Sequence, residues 1–150
     1  MKIFLVVFLM PLLSFTCNRD SAGEGETFSF GISHCMCPSG CVKNFQIRNK
    51  QLFADKMEKC SDPQQYESTP LPNDKYQLAK SLLENFPAYL LGNPDKTFGC
   101  PDCLDQGSIN IELKDNTGRV RYWHIDTREN TQPLEIQAYI KQLVAIVGQL

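Results

Sequence analysis

Seven cysteines are the residues of this 150-residue chain whose type and spacing could do chemistry. His34-Cys35-Met36-Cys37-Pro38-Ser39-Gly40-Cys41 packs three thiols, an imidazole and a thioether into one short stretch. Cys60 follows, and Cys100-Pro101-Asp102-Cys103 has C-x2-C spacing. Soft sulfur ligands favour Zn, Cu(I) or iron–sulfur clusters, and two intervening residues let both thiolates face one ion. A metal site would draw on His34, Cys35, Cys37, Cys41, Cys100 and Cys103, although Cys-x-Cys is not the usual zinc spacing and His34 reads better as a loop residue. The same thiols could cross-link instead, and six cysteines allow about 15 pairings among which spacing does not choose. A third chemistry is thiol redox at Cys100 and Cys103. It needs a helix N-terminus to lower the first thiol's pKa, whereas this motif leads through Leu104-Asp105-Gln106-Gly107 into an alternating, strand-like segment.

Other catalytic patterns are missing. No P-loop, GxSxG, HExxH or GxGxxG motif occurs, so no cofactor is expected and no catalytic residue is assigned. Any Ser-His-Asp or Cys-His-Asn set would need His34 or His124, the two histidines of the chain. His124 shares a strand face with Val120, Tyr122 and Asp126, where a structural histidine is the simpler reading. Asp102, Asp105 and Gly107 supply too few oxygens for an EF-hand loop. Glu112, Asp115 and Asp126 read as solvated strand and turn carboxylates, and Trp123 as an inward core residue.

The compartment decides which thiol chemistry is available. Met1-Lys2 followed by the apolar run Ile3–Leu13 has the form of a secretory signal, and the run is too short for a spanning helix, which takes about 20 residues. Cys17 stands directly after Ser14-Phe15-Thr16, the position acylated in bacterial lipoprotein precursors. Leu13 lies one place too far upstream and bulky Phe15 sits inside the box, so the strict pattern is not met. Acylation would account for the odd cysteine, leaving Cys35, Cys37, Cys41, Cys60, Cys100 and Cys103 as disulfide candidates in an oxidising compartment. The expected organisation is a signal peptide over 1–16, a lipidated Cys17 with a polar tether over 17–26, and one domain over 27–150. Plain secretion is the alternative.

Those thiols must be positioned by the elements around them. Phe28, Phe30 and Ile32 alternate along 27–33, and Phe45 and Ile47 along 42–48, with Asn49-Lys50 turning into 51–54. If the first strand runs up the sheet, Cys35, Cys37, Cys41 and Cys60 meet at its top, while Cys100 and Cys103 could reach either edge. Residues 60–73 hold three prolines and read as loop. Asn73 or Asp74, with Gln77, resembles a capping box ahead of the stripe Leu78, Ala79, Leu82, Leu83 and Phe86, which Pro87 ends. Ile109, Ile111 and Leu113 alternate, Asp115-Asn116-Thr117-Gly118 turns, and 119–126 returns. A final helix from Pro133 carries Ile136, Tyr139, Ile140, Leu143 and Val147 inward. The expected fold is α+β, an antiparallel sheet of two hairpin-based units in the order β-β-β-α-β-β-α with two helices packed on one face.

Composition agrees with one globular domain: 42% of residues are apolar and 21% charged. A formal charge of −2 gives no basic field for nucleic acid. The Phe28-Ser29-Phe30-Gly31 strand, the Gly- and Cys-containing loop at 35–41, Gly99-Cys100-Pro101-Asp102-Cys103-x-Asp105-x-Gly107 and Tyr122-Trp123-x-Ile125-Asp126 together resemble small uncharacterised bacterial lipoproteins of the cell envelope. The resemblance spans about four-fifths of the chain and implies an envelope location and an α+β domain, with no reaction to carry over. The expectation is therefore a lipid-anchored, disulfide-stabilised, non-enzymatic monomer on the periplasmic face or outer membrane, structural or bound to a protein partner. A soft-metal protein and a thiol redox protein are the alternatives, and loops presented to a protease a further one.

Overall fold

The computed structural model describes residues 25–57 and 59–150. The signal segment, Cys17 and most of the tether lie outside the described residues. The domain is α+β. Its strands are β1 (Thr27–Ser33), β2 (Val42–Arg48), β3 (Gln51–Ala54), β4 (Lys96–Phe98), β5 (Ser108–Lys114) and β6 (Val120–Asp126). Its helices are α1 (Asn73–Glu84), α2 (Ala88–Gly92) and α3 (Leu134–Val147). The strands form a six-stranded sheet in the order β3-β2-β1-β5-β6-β4. Among the described residues no helix is long and apolar enough to cross a membrane.

Period-two side-chain alternation does most of the work. Phe28, Phe30, Phe45, Ile47, Leu52, Ile109, Ile111, Trp123 and Ile125 are all buried and belong to one cluster with Tyr76, Leu82, Phe86, Ile136, Tyr139 and Leu143 from the helical segments. Phe86 is the junction, lying 5.9 Å from the Phe28 ring, 5.3 Å from Trp123 and 5.6 Å from Tyr139. Two polar atoms that this dry layer must contain are satisfied locally. Trp123 Nε1–H donates to the Asn93 carbonyl at 2.7 Å, and the Tyr139 hydroxyl donates to the Leu82 carbonyl at 3.1 Å.

The β2–β3 and β5–β6 hairpins form as the turn chemistry requires. Asn49 and Lys50 both take left-handed φ, 48° and 57°, which suits a two-residue hairpin loop. Asp115 Oδ1 accepts the amides of Thr117 and Arg119, and Gly118 supplies φ 85°.

Three expectations are corrected. The sheet is mixed, because β4 pairs in parallel with β6. Among the described residues there are three α-helices, not two, and the element order gains α2 and β4 between α1 and β5. Both additions fall between Pro87 and Gly99, in segments too short to display a period: five residues for α2 and three for β4. The capping box at Asn73/Asp74 is absent. Pro72 occupies the N-cap position with no side-chain cap, and Gln77 instead donates to Asn73 Oδ1 at 3.4 Å.

Candidate functional site

The opposite face of the same strands is polar. Ser29, Gly31 and Ser33 of β1 align with Gln46, Asn44 and Val42 of β2, and with Glu112, Asn110 and Ser108 of β5. Tyr122, His124 and Asp126 of β6 continue the rows. Helices cover the apolar face; here the cover is the irregular chain of residues 55–57 and 59–66. Asp55 Oδ1 accepts the amides of Met57 and Gln65, both at 3.1 Å, and a single bridge joins Asp55 to Tyr66. Between this chain and the sheet is a cavity of about 380 Å³. Its sheet wall includes Ser33, Asn110, Glu112, Tyr122 and His124, its roof Asp62, Gln64 and Tyr66, and its end wall Asp102.

The wall is held by a chain of hydrogen bonds. The Tyr122 hydroxyl donates to Asn110 Oδ1 at 2.7 Å, Asn110 Nδ2 donates to Ser33 Oγ at 3.0 Å, and Ser33 Oγ bonds Ser108 Oγ at 2.9 Å. Gln64 Nε2 donates to the Tyr66 hydroxyl at 2.6 Å. Burial pushes the Tyr66 phenol up to about 12, so it is un-ionised at neutral pH. Burial and the Glu112 carboxylate also raise Tyr122. Burial lowers His124 against a weaker opposing pull from Asp102, so the imidazole is neutral at pH 7. Gly31 is needed in the floor: a Cβ there would collide with Asn44 Oδ1 and the Lys43 carbonyl.

The six downstream cysteines gather where the cavity ends. β1, β3, β4 and β6 all run toward this end of the sheet. Residues 34–41, 55–66 and 99–107 leave or enter the strands there. The thiols stand in three close pairs at disulfide spacing: Cys35 with Cys60, Cys37 with Cys41, and Cys100 with Cys103, with Cα separations of 5.3, 5.8 and 5.6 Å. The convergence of the first four follows from hairpin geometry, as the sequence implied. Cys100 and Cys103 join them because β4 is parallel to β6, a strand that the sequence does not display. The Cys35–Cys60 pair ties the end of β1 to the cavity roof.

His34, the candidate ligand between Ser33 and Cys35, is exposed. Its amide donates to the Cys41 carbonyl at 2.8 Å, closing the 34–41 loop, and its ring lies against Gly107, where a Cβ would clash. Among the described residues no group of three or more His, Cys, Asp or Glu side chains converges as a metal-binding set.

Cys100 opens a turn rather than a helix, and its amide donates to Asp126 Oδ2 at 3.1 Å. Cys100 therefore lacks the helix N-terminus that lowers the pKa of a redox nucleophile.

Asp126 corrects the reading of it as a solvated carboxylate: it is completely buried. It accepts from the amides of Cys100 and Arg128, from Gln106 Nε2 at 3.3 Å, and from the Arg128 guanidinium at 2.9 Å. Burial alone would raise this carboxyl, but the donors from Arg128, Cys100 and Thr131 outweigh it and hold it well below the usual carboxylate range. Gly99, at φ 73°, leaves room for it, since a Cβ would strike Asp126 and Thr131. Asp126 is thus the internal anchor of the 99–107 loop. Asp115 is half-buried in the β5–β6 turn and held low first by its Thr117 hydrogen bond. Trp123 is inward with no exposed surface, as the sequence indicates.

Comparison of the chain with protein-family models, with curated proteins and with solved structures finds no match.

Proposed function

We propose that this chain is a lipid-anchored protein of the cell envelope, non-enzymatic, whose cystine-tied end recognises a partner. The observation that carries this reading is the gathering of six cysteines, as three close pairs, around the loops that wall the 380 Å³ cavity. Paired thiols persist as disulfides in oxidising compartments, which agrees with the signal-like segment ahead of Cys17. Tied loops around a concave polar surface favour binding, because a preorganised surface loses less entropy when a partner docks. The turn at 100–103, in place of a helix N-terminus, weighs against thiol redox chemistry at that pair. The absence of a helix-borne motif for nucleic acid and the acidic balance of the chain weigh against that class.

Fatty-acid labelling in the native host, followed by intact mass without reductant, tests the reading. The expected product begins at Cys17, carries acyl mass, and is lighter than its fully reduced form by about two hydrogens for each of three bridges. Cys17→Ala abolishes label and membrane retention. A protein with six free thiols and the mass of a bound ion would overturn the reading in favour of a soft-metal protein.

A further inference from the structure

We infer that the cavity on the open face of the sheet is a binding site for an alkylammonium group, supplied either by a free small amine or by a lysine side chain of a partner. The inference deepens the binding reading above by naming the chemistry its cavity selects.

The wall presents acceptors. The Tyr122 hydroxyl spends its proton on Asn110 Oδ1, and Asn110 spends an amide proton on Ser33. What these groups leave toward a ligand is chiefly oxygen lone pairs. Three carboxylates, Asp62, Asp102 and Glu112, line the same space, and neither lysine nor arginine does. His124 adds no positive charge at neutral pH. A ligand rich in N–H donors and carrying positive charge satisfies such a wall; an anion or an acceptor-rich ligand does not.

Aromatic surface supports the same choice. The Tyr122 and His124 rings lie 6.2 Å apart and tilted, and Tyr122 is 41% exposed although its hydroxyl is fixed. A ring face held in place beside carboxylates is a recurrent setting for an ammonium ion. The volume sets the size. At about 30 Å³ per water, 380 Å³ holds roughly a dozen waters, enough for an aminoalkyl chain and too little for a folded segment.

The experiment is calorimetric titration of the full mature protein, oxidised and in detergent, with 1,5-diaminopentane, a lysine tripeptide blocked at both ends, and neutral 1,5-pentanediol. The expected result is saturable binding of the diamine with the diol at least tenfold weaker, and a tenfold or greater loss in both Glu112→Gln and Asp102→Asn. Circular dichroism melts of these near-isosteric variants separate lost binding from lost fold. Binding of the peptide with the diamine identifies a lysine side chain as the source; binding of the diamine alone identifies a free amine. The inference is overturned if the diol binds as well as the diamine, if neither cation binds wild type, or if the folded variants bind unchanged. None of these outcomes depends on acylation of Cys17, so failure of the anchor leaves this test intact.

Discussion

The two faces of this sheet are built from alternate residues of the same strands, yet they are held by different physics. On the helix-covered face, Phe28, Phe30, Ile47, Leu52, Ile109, Ile111, Trp123 and Ile125 are all but sealed from solvent, with Phe86 set against Phe28 and Trp123. On the open face, Ser33, Asn110, Tyr122 and the carboxylates form a hydrogen-bonded wall under a roof with no helix in it. The first face gains its stability from apolar area and close packing, which tolerate little change in volume. The second relies on covalent ties and fixed donors and acceptors, leaving room for a ligand. One layer supplies the scaffold, and the other keeps the space.

Truncation of the helix-side core should give the largest effect. Trp123→Ala removes a fully buried indole, its contact with Phe86 and its hydrogen bond to Asn93, and should cost about 4 kcal/mol in urea unfolding. An equal cost from a substitution confined to the open face would break the division drawn here.

Replacing both Cys35 and Cys60 with Ser should come next. The tie closes 25 residues of sequence, and its loss should cost about 3 kcal/mol through the entropy of the unfolded chain. Hydrogen exchange should then accelerate in 55–67 while α1 and α3 keep their protection relative to the lowered global stability. Uniform acceleration across both faces would count against separate supports.

Asp126 sharpens the comparison, because it is the buried charge on the polar side. Asp126→Asn should cost about 2 kcal/mol at pH 7, as one amide oxygen replaces a carboxylate serving several donors. The pH dependence has a definite sign. The folded carboxyl lies below its unfolded value, so its contribution is complete above about pH 5, where the unfolded group is ionised, and is lost progressively as pH falls further. The variant should therefore unfold with a shallower acid dependence than wild type. An identical acid limb would show that Asp126 is not the group responsible.

Legibility in the sequence followed the same division. β1, β2, β5, β6, α1 and α3 announce themselves because each carries a sustained period set by the shared core. α2, closed between Pro87 and Pro94, and β4, the three residues Lys96–Phe98, are held by neighbours rather than by a pattern of their own. The open face was visible as polar alternation, but polar alternation looks the same whether it meets water or a roof. The burial of Asp126 is invisible in the sequence for that reason: it comes from the 99–107 loop and Arg128 folding over it. The cavity is non-local, assembled from β1, β2, β5, β6 and three loops, and no contiguous motif encodes it. The pairing of cysteines is open in sequence; Cys37 with Cys41 and Cys100 with Cys103 are neighbours within single loops, and only Cys35 with Cys60 depends on which strand ends converge.

Strand order also governs the sequence of events in folding. β1 is the first strand of the domain and lies inside the sheet, between β2 and β5. Its partnership with β2 is local and can form as soon as the hairpin emerges. Its other edge waits much longer, since Ser33 and Ser108, which meet across β1 and β5, are 75 residues apart. Until then the nascent chain carries an open, Phe-rich edge, the kind of surface that pairs with other chains. A chain made amino terminus first meets that hazard early, and the step expected to be slowest is the arrival of β5 beside a strand made long before it.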